Sequence, residues 1–227
     1  SVLGLVTSFC KERNSRLDDE GVQAYVELLG PGAGTLNIPW SPVTDAGLEA
    51  LADRVHCLTA LDLSYCDNVG DIGVAALAAS NPLLASLNLT GTRAGDAACS
   101  SLAVHCKQLK VLCMALCGAV TDMGLQTLMR GLYRLEVLDI AGCSGVTSVG
   151  IDVIASHGAR LRRLCLDGCD ILDSGLEDLA ANATQLQQLL DLRGTKVTDA
   201  TLTEIARCLT GLKSLNVAFS GVALAGV

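Results

Sequence analysis

Aliphatic residues fall two apart at Leu36/Ile38, Leu61/Leu63, Leu87/Leu89, Leu112/Met114, Leu138/Ile140, Leu164/Leu166, Leu190/Leu192 and Leu215/Val217. Alternation of this kind puts both members of a pair on one face of a short strand. Successive pairs begin 25 or 26 residues apart. A period held that tightly marks a structural repeat, the first thing to look for in any chain. A divergent earlier copy is expected at Leu3/Leu5, followed by a longer connection.

Each copy has a second half. A small residue follows the pair, then a turn, then Asp45, Asp71, Asp96, Asp122, Ser148, Asp173 or Asp199. Two residues further on stands Gly47, Gly73, Gly124, Gly150 or Gly175 in five of the copies. Apolar residues then recur at steps of three and four, which predicts a helix of two to three turns. The Asp or Ser is read as the helix N-cap, and the glycine as room for a close backbone approach. One strand and one helix cannot bury their own apolar face, whereas stacked copies can. The expected fold is therefore an α/β solenoid with a parallel inner sheet and outer helices. Residues 1–35 are expected to form a divergent N-terminal repeat or cap, and 36–227 the array, with its last repeat incomplete.

Residues 109–125, LKVLCMALCGAVTDMGL, carry the pattern most fully, followed by 135–151 and 58–74. This pattern resembles the cysteine-containing class of leucine-rich repeats, and the likeness extends over about residues 36–222. It implies a horseshoe-shaped solenoid and is similar to the repeat domain of F-box leucine-rich-repeat proteins. The resemblance implies a non-catalytic protein-interaction module that presents substrates to a cullin-type ubiquitin ligase. No F-box is recognisable in the chain, so that role requires an upstream segment or a different adaptor. The alternative is a structural subunit of a large assembly, such as the nexin–dynein regulatory complex of cilia, where similar repeats occur. Ser41, Thr92, Thr195 and Ser220 replace the repeat cysteine, and Ala98 and Thr201 replace the glycine. Residues 186–190, LQQLL, are shifted by one, so these copies are expected to be locally less regular.

Composition narrows the partners. Of 227 residues half are hydrophobic but only 3% aromatic, so the core is aliphatic. The net charge of −8 argues against nucleic acid, whose binding needs clustered cations, and against an anionic membrane. Eleven cysteines, an odd number, make a poor disulfide framework and point to a reducing compartment. No apolar run approaches the length of a membrane span, and SVLGLVTSFC lacks the basic start of a signal peptide. The expected location is cytoplasmic, with nucleus or cilium as the other compartments, and not secreted. The Asn-x-Thr matches at Asn88 and Asn182 are then idle, and an initial Ser means a removed Met or a longer chain.

The residue types that carry chemistry mostly recur with the repeat. Cys66, Cys117, Cys143 and Cys169 occupy one position and should point inward as packing. Cys113/Cys117 and Cys165/Cys169 have zinc-like spacing, but strand register should point their thiols apart. His56, His105 and His157 are placed at helix C-termini, where a partial positive charge is favourable. Residues 30–34, GPGAG, follow a helix and precede a strand, the reverse of a phosphate loop. No catalytic residue, cofactor or metal ligand is expected.

What remains is the outward face of the sheet and its margin. The candidate partner-binding residues are Trp40, Asp62, Tyr65, Leu116, Asp139, Asp167, Asp191, Arg193 and Phe219. Exposed aromatics are common interface anchors. Four aspartates opposed by Arg193 alone favour a protein partner with basic groups, within a multi-subunit complex. The stretch LNVAFSGVALAGV is apolar, so the chain is expected to continue or another segment to cover it. The more polar KERNSRLDDEGVQAYVELL is expected to be the opening cap.

Overall fold

The computed structural model describes residues 17–30, 32–183 and 185–222. The copy expected at Leu3/Leu5 and the last five residues lie outside them. Helix and strand alternate as α1 (Asp19–Leu29), β1 (Thr35–Asn37), α2 (Asp45–Ala52), β2 (Ala60–Asp62), α3 (Asp71–Ser80), β3 (Ser86–Asn88), α4 (Asp96–His105) and β4 (Val111–Cys113). The series continues as α5 (Asp122–Gly131), β5 (Val137–Asp139), α6 (Ser148–His157), β6 (Arg163–Cys165), α7 (Asp173–Asn182), β7 (Leu189–Asp191), α8 (Asp199–Cys208) and β8 (Leu215–Asn216). All the strands join one parallel sheet in chain order. Each helix packs on its neighbours in sequence. The fold is a leucine-rich-repeat α/β solenoid.

The register is the one the Leu-x-Leu pairs predict. Leu36, Leu61, Leu87, Leu112, Leu138, Leu164, Leu190 and Leu215 pair across adjacent strands. All but Leu215 are buried, as are Leu63, Leu89, Met114, Ile140, Leu166 and Leu192 in the second row. Helix residues three apart, such as Leu125/Leu128 and Ile151/Ile154, close the core from the other side. Each such side chain contributes about 1.5–3 kcal/mol by leaving water.

The aspartates correct the expectation. They are not N-caps but the first residues of their helices, and the caps are Thr44, Gly70, Gly95, Thr121, Thr147, Leu172 and Thr198. Their carboxylates reach sideways to the start of the next helix. The Thr121 amide and hydroxyl donate to Asp96 at 2.8 and 2.6 Å. Those of Thr147 donate to Asp122 at 2.9 and 2.7 Å, and those of Thr44 to Asp19 at 2.8 and 2.7 Å. Asp45 and Asp71 accept from the amides of Gly70 and Gly95, both at 2.7 Å. One repeat thus supplies the anion that satisfies the free amides of the next, a cap shared between modules.

The same ladder explains the glycines and their replacements. A Cβ on Gly150 would stand 2.4 Å from Asp122 Oδ1, and one on Gly124 2.2 Å from Asp96 Oδ1. The glycine makes room for the neighbouring carboxylate more than for backbone. Where alanine replaces it, the Ala98 amide donates to Asp71 at 2.9 Å. Where threonine replaces it, the Thr201 hydroxyl donates to Asp173. Partial desolvation acts to raise the Asp173 pKa, but bonds from Thr201 and Thr198 outweigh it and hold the carboxyl below its ordinary range.

The repeat cysteines point inward as expected. Each thiol donates to a carbonyl of the preceding repeat: Cys66 to Ile38 and Cys143 to Met114 at 3.2 Å, and Cys117 to Leu89 at 3.1 Å. The hydroxyls of Thr92 and Thr195, standing in for the thiol, bond instead within their own repeat to Leu89 and Leu192. Burial pushes the thiols of Cys66 and Cys169 up to about 11 and that of Cys143 up to about 12. Thiolate is the reactive form, so native protein at pH 7.5 should label rapidly at exposed Cys57 and slowly at these three. Mass spectrometry after a brief alkylation pulse checks this, and fast labelling of Cys143 would contradict it.

Candidate interaction surface

The outward face is built from the strand positions that flank the buried leucines. Register aligns Asn37, Asp62, Asn88, Cys113, Asp139, Cys165, Asp191 and Asn216 in one column. Most of these side chains serve the sheet before any partner. Asp62, Asn88, Asp139, Asp191 and Asn216 each accept the amide two residues on, at 2.9–3.2 Å. They therefore fix the chain as it leaves the strand.

Arg193, the cation set against the four aspartates in the sequence, is paired with two of them. Arg193 lies 3.0 Å from Asp167 Oδ2 and 3.1 Å from Asp191 Oδ1. Asp191 is buried, only 7% exposed beneath that guanidinium. Asp139 stays half-buried: desolvation raises its pKa, the Ala141 amide opposes this, and Asp191 and Asp167 add to the rise. A carboxyl with a raised folded-state pKa favours folding at low pH and loses that contribution as pH climbs through the folded value. Asp139→Asn should therefore stabilise the protein at pH 7, and the gain should vanish near pH 4. Asn88 and Asn216 already show that an amide fits this position. Urea unfolding at the two pH values measures the difference.

A second outward column escaped the sequence reading. Thr35, Ala60, Ser86, Val111, Val137, Arg163 and Leu189 open the strands and face the same way. The period-2 rule that exposes Cys113 and Asp139 exposes Val111 and Val137 equally. The centre of the face is thus partly apolar, and the Arg163 guanidinium acts on Asp139 and both face cysteines.

The margin beyond the strand ends is the most distinctive part. Trp40, Tyr65, Gly91, Leu116, Gly142, Gly168, Gly194 and Phe219 all adopt positive φ, between 59° and 71°. The amides of all but Phe219 extend the parallel ladder, as in Tyr65 N–H to Thr90 O at 2.6 Å and Leu116 N–H to Ala141 O at 2.6 Å. The chain then reverses in a tight turn, closed by Cys66 N–H on Leu63 O and Cys117 N–H on Met114 O. Glycine takes this conformation freely. A bulky residue there costs about 1–2 kcal/mol.

Four of the eight positions carry that cost with large side chains that are exposed: Trp40 54%, Tyr65 37%, Leu116 56% and Phe219 94%. The Trp40 and Tyr65 rings stack, with centroids 3.9 Å apart and planes 8° from parallel. Tyr65 lies over Gly91 and Leu116 over Gly142, where an added Cβ would meet them at 2.8 and 2.6 Å. The structure brings Trp40, Tyr65 and Leu116 onto one rim, and Phe219 onto the same rim at its far end.

Other candidates disperse. Cys113 and Cys165 face outward on either side of Asp139, two strands apart. Burial raises the first to about 11 and the second to about 12. His105 and His157 end α4 and α6, but His56 lies past the end of α2, which stops at Ala52. Among the described residues no three His, Cys, Asp or Glu side chains converge to hold a metal ion. Nor is any of their helices long and apolar enough to cross a membrane. A second exposed apolar set, Ile72, Met123, Val149 and Leu172, lies at the starts of α3, α5, α6 and α7.

Residues 56–78, which span β2 and most of α3, match the family model described as Leucine Rich repeat. That match to one module of the stack supports a leucine-rich-repeat family for the chain.

Proposed function

We propose that the chain is a protein-recognition module that binds its partner with the outward sheet face and its left-handed rim. The observation that carries this reading is the rim itself. Trp40, Tyr65, Leu116 and Phe219 keep a strained backbone while exposed to solvent. Glycine serves the same position elsewhere in the stack, so folding does not require those side chains. Strain kept at exposed bulky residues supports a functional role, and aromatic anchors are what protein interfaces use. Asp62, Asp139 and the Asp167–Arg193 pair beside the rim favour a partner that brings basic groups.

The finer reading, by resemblance to F-box leucine-rich-repeat proteins, is substrate recognition in a cullin-type ubiquitin ligase. The second reading is a subunit of a large assembly such as the nexin–dynein regulatory complex. It is favoured by the separate exposed set Ile72, Met123, Val149 and Leu172, because a subunit held between neighbours needs two interfaces. Affinity purification of the native protein and of its Tyr65→Gly variant tests both. A protein lost only from the variant is the rim partner. A ubiquitin-ligase adaptor retained in both supports the ligase reading, and a filament-associated complex in its place supports the assembly reading. Identical sets from the two proteins would refute recognition by the rim.

A further inference from the structure

We propose that the edge where each helix passes into the next strand, opposite the left-handed rim, docks a short acidic segment of a partner protein. The region from the end of α4 to the start of β6 gathers Lys110, Arg130, Arg134, Arg160 and Arg162, all exposed. In the connections 106–110, 132–136 and 158–162 the one carboxylate is Glu136. It lies 4.0 Å from Lys110 Nζ. The four arginines make no ion pair among the described residues.

Local stability accounts for only part of the set: the Arg134 guanidinium donates to Gln108 Oε1 of the preceding repeat. Cations at helix C-termini offset the negative end of the dipole, and Lys107 does this visibly. Its ammonium donates to the carbonyls of Ala103 and, at 3.3 Å, Gly131. Arg130 sits in the last turn of α5 and shares that role. Arg134, Arg160 and Arg162 lie beyond the helix ends. Crowded like charges disfavour the folded state, so the concentration of Lys110, Arg134, Arg160 and Arg162 on three successive repeats of a chain with net charge −8 calls for an anionic partner.

Geometry sets its size. The Glu136 amide donates to Lys110 O and the Arg162 amide to Glu136 O, both at 2.8 Å, so these residues occupy three consecutive rungs. Rungs are about 4.8 Å apart, so the strip spans only a few residues of an extended peptide. Tyr133, 60% exposed beside Arg134, offers an apolar anchor within it. A long nucleic acid would run off the strip onto a chain whose opposite edge carries Asp67, Asp71, Asp96, Asp122 and Asp170. A short acidic peptide meets only the cations.

The test is fluorescence anisotropy of a labelled octaglutamate peptide with the full chain. Saturable binding is expected, weakening about tenfold or more between about 50 and 200 mM salt. Arg134→Glu/Arg160→Glu/Arg162→Glu should lose at least about tenfold in affinity, because each contact with an acidic group is replaced by repulsion. The matching glutamine triple variant should also lose affinity, and circular dichroism melts confirm that both fold. Tyr65→Gly should bind the peptide like wild type, which keeps this surface distinct from the rim. Absence of saturable binding, unchanged binding by both triple variants, or tighter binding of a single-stranded oligonucleotide than of the peptide would each overturn the proposal.

Discussion

Gly150→Ala is expected to destabilise the protein by about 3 kcal/mol, a large effect for one added methyl group. The new Cβ would stand 2.4 Å from Asp122 Oδ1 and 3.0 Å from the Leu125 side chain. The carboxylate must shift toward the arrangement Asp71 takes beside Ala98, where it accepts from the backbone amides of Gly95 and Ala98 with no cap hydroxyl bound, so the Thr147 hydroxyl loses its acceptor and its amide bond is disturbed. Unpaired, partly buried polar groups cost about 1–3 kcal/mol, and the steric shift adds to that.

Asp122→Ala alone should cost about 1–3 kcal/mol by the same loss of acceptor. In that background the sign of Gly150→Ala should reverse. The obstructing oxygen is gone and the leucine can turn aside. Alanine then gains the usual advantage over glycine, about 0.4–1 kcal/mol, from a less flexible unfolded chain. Urea denaturation of the two single variants and the double variant measures the coupling directly. Simple additivity would mean that the carboxylate does not occupy the glycine's space.

The second large effect concerns binding. Trp40→Ala combined with Tyr65→Gly should weaken the rim's partner by about 2 kcal/mol or more, roughly thirtyfold. Folding should barely notice Tyr65→Gly, because relief of the positive φ (59°) offsets the lost stacking on Trp40. Leu116→Gly offers the same separation at the middle of the rim. Strain relief of about 1–2 kcal/mol stands against about 1 kcal/mol of added unfolded-state freedom. Its melting temperature should therefore stay close to wild type while affinity falls. Loss of affinity without loss of stability is the signature that separates an interface residue from a packing residue.

The sheet was legible in the sequence because alternation in a strand and a repeat of constant length reinforce each other. Leu112, Leu138 and Leu164 needed no further information to be stacked in register. The aspartate ladder was not legible. An aspartate suits an N-cap and the first helical turn equally well, and its partner is 25 residues away in the next module. The threonine just before it, at positions 44, 121 and 198, and before Ser148 at position 147, was the signal for the true cap.

The rim was half legible. Its residues were named, but alternation alone does not reveal a left-handed backbone. The recurrence of Gly91, Gly142, Gly168 and Gly194 in the same column was the available sign that the position demands positive φ. The pairing of Arg193 with both Asp167 and Asp191 was not legible, because a linear sum of charges says nothing of which groups touch. The basic edge was hidden for a related reason: a net charge of −8 averages over two edges of opposite sign.

Recognition through the left-handed rim is tested most directly by site-specific photo-crosslinking. A photoreactive phenylalanine is placed at Tyr65, at Leu116, or at Val104, which is exposed on α4, and the protein is irradiated in its native setting. The same single protein should be captured from positions 65 and 116, with nothing comparable from 104. Capture from 104 with none from the rim would contradict the account.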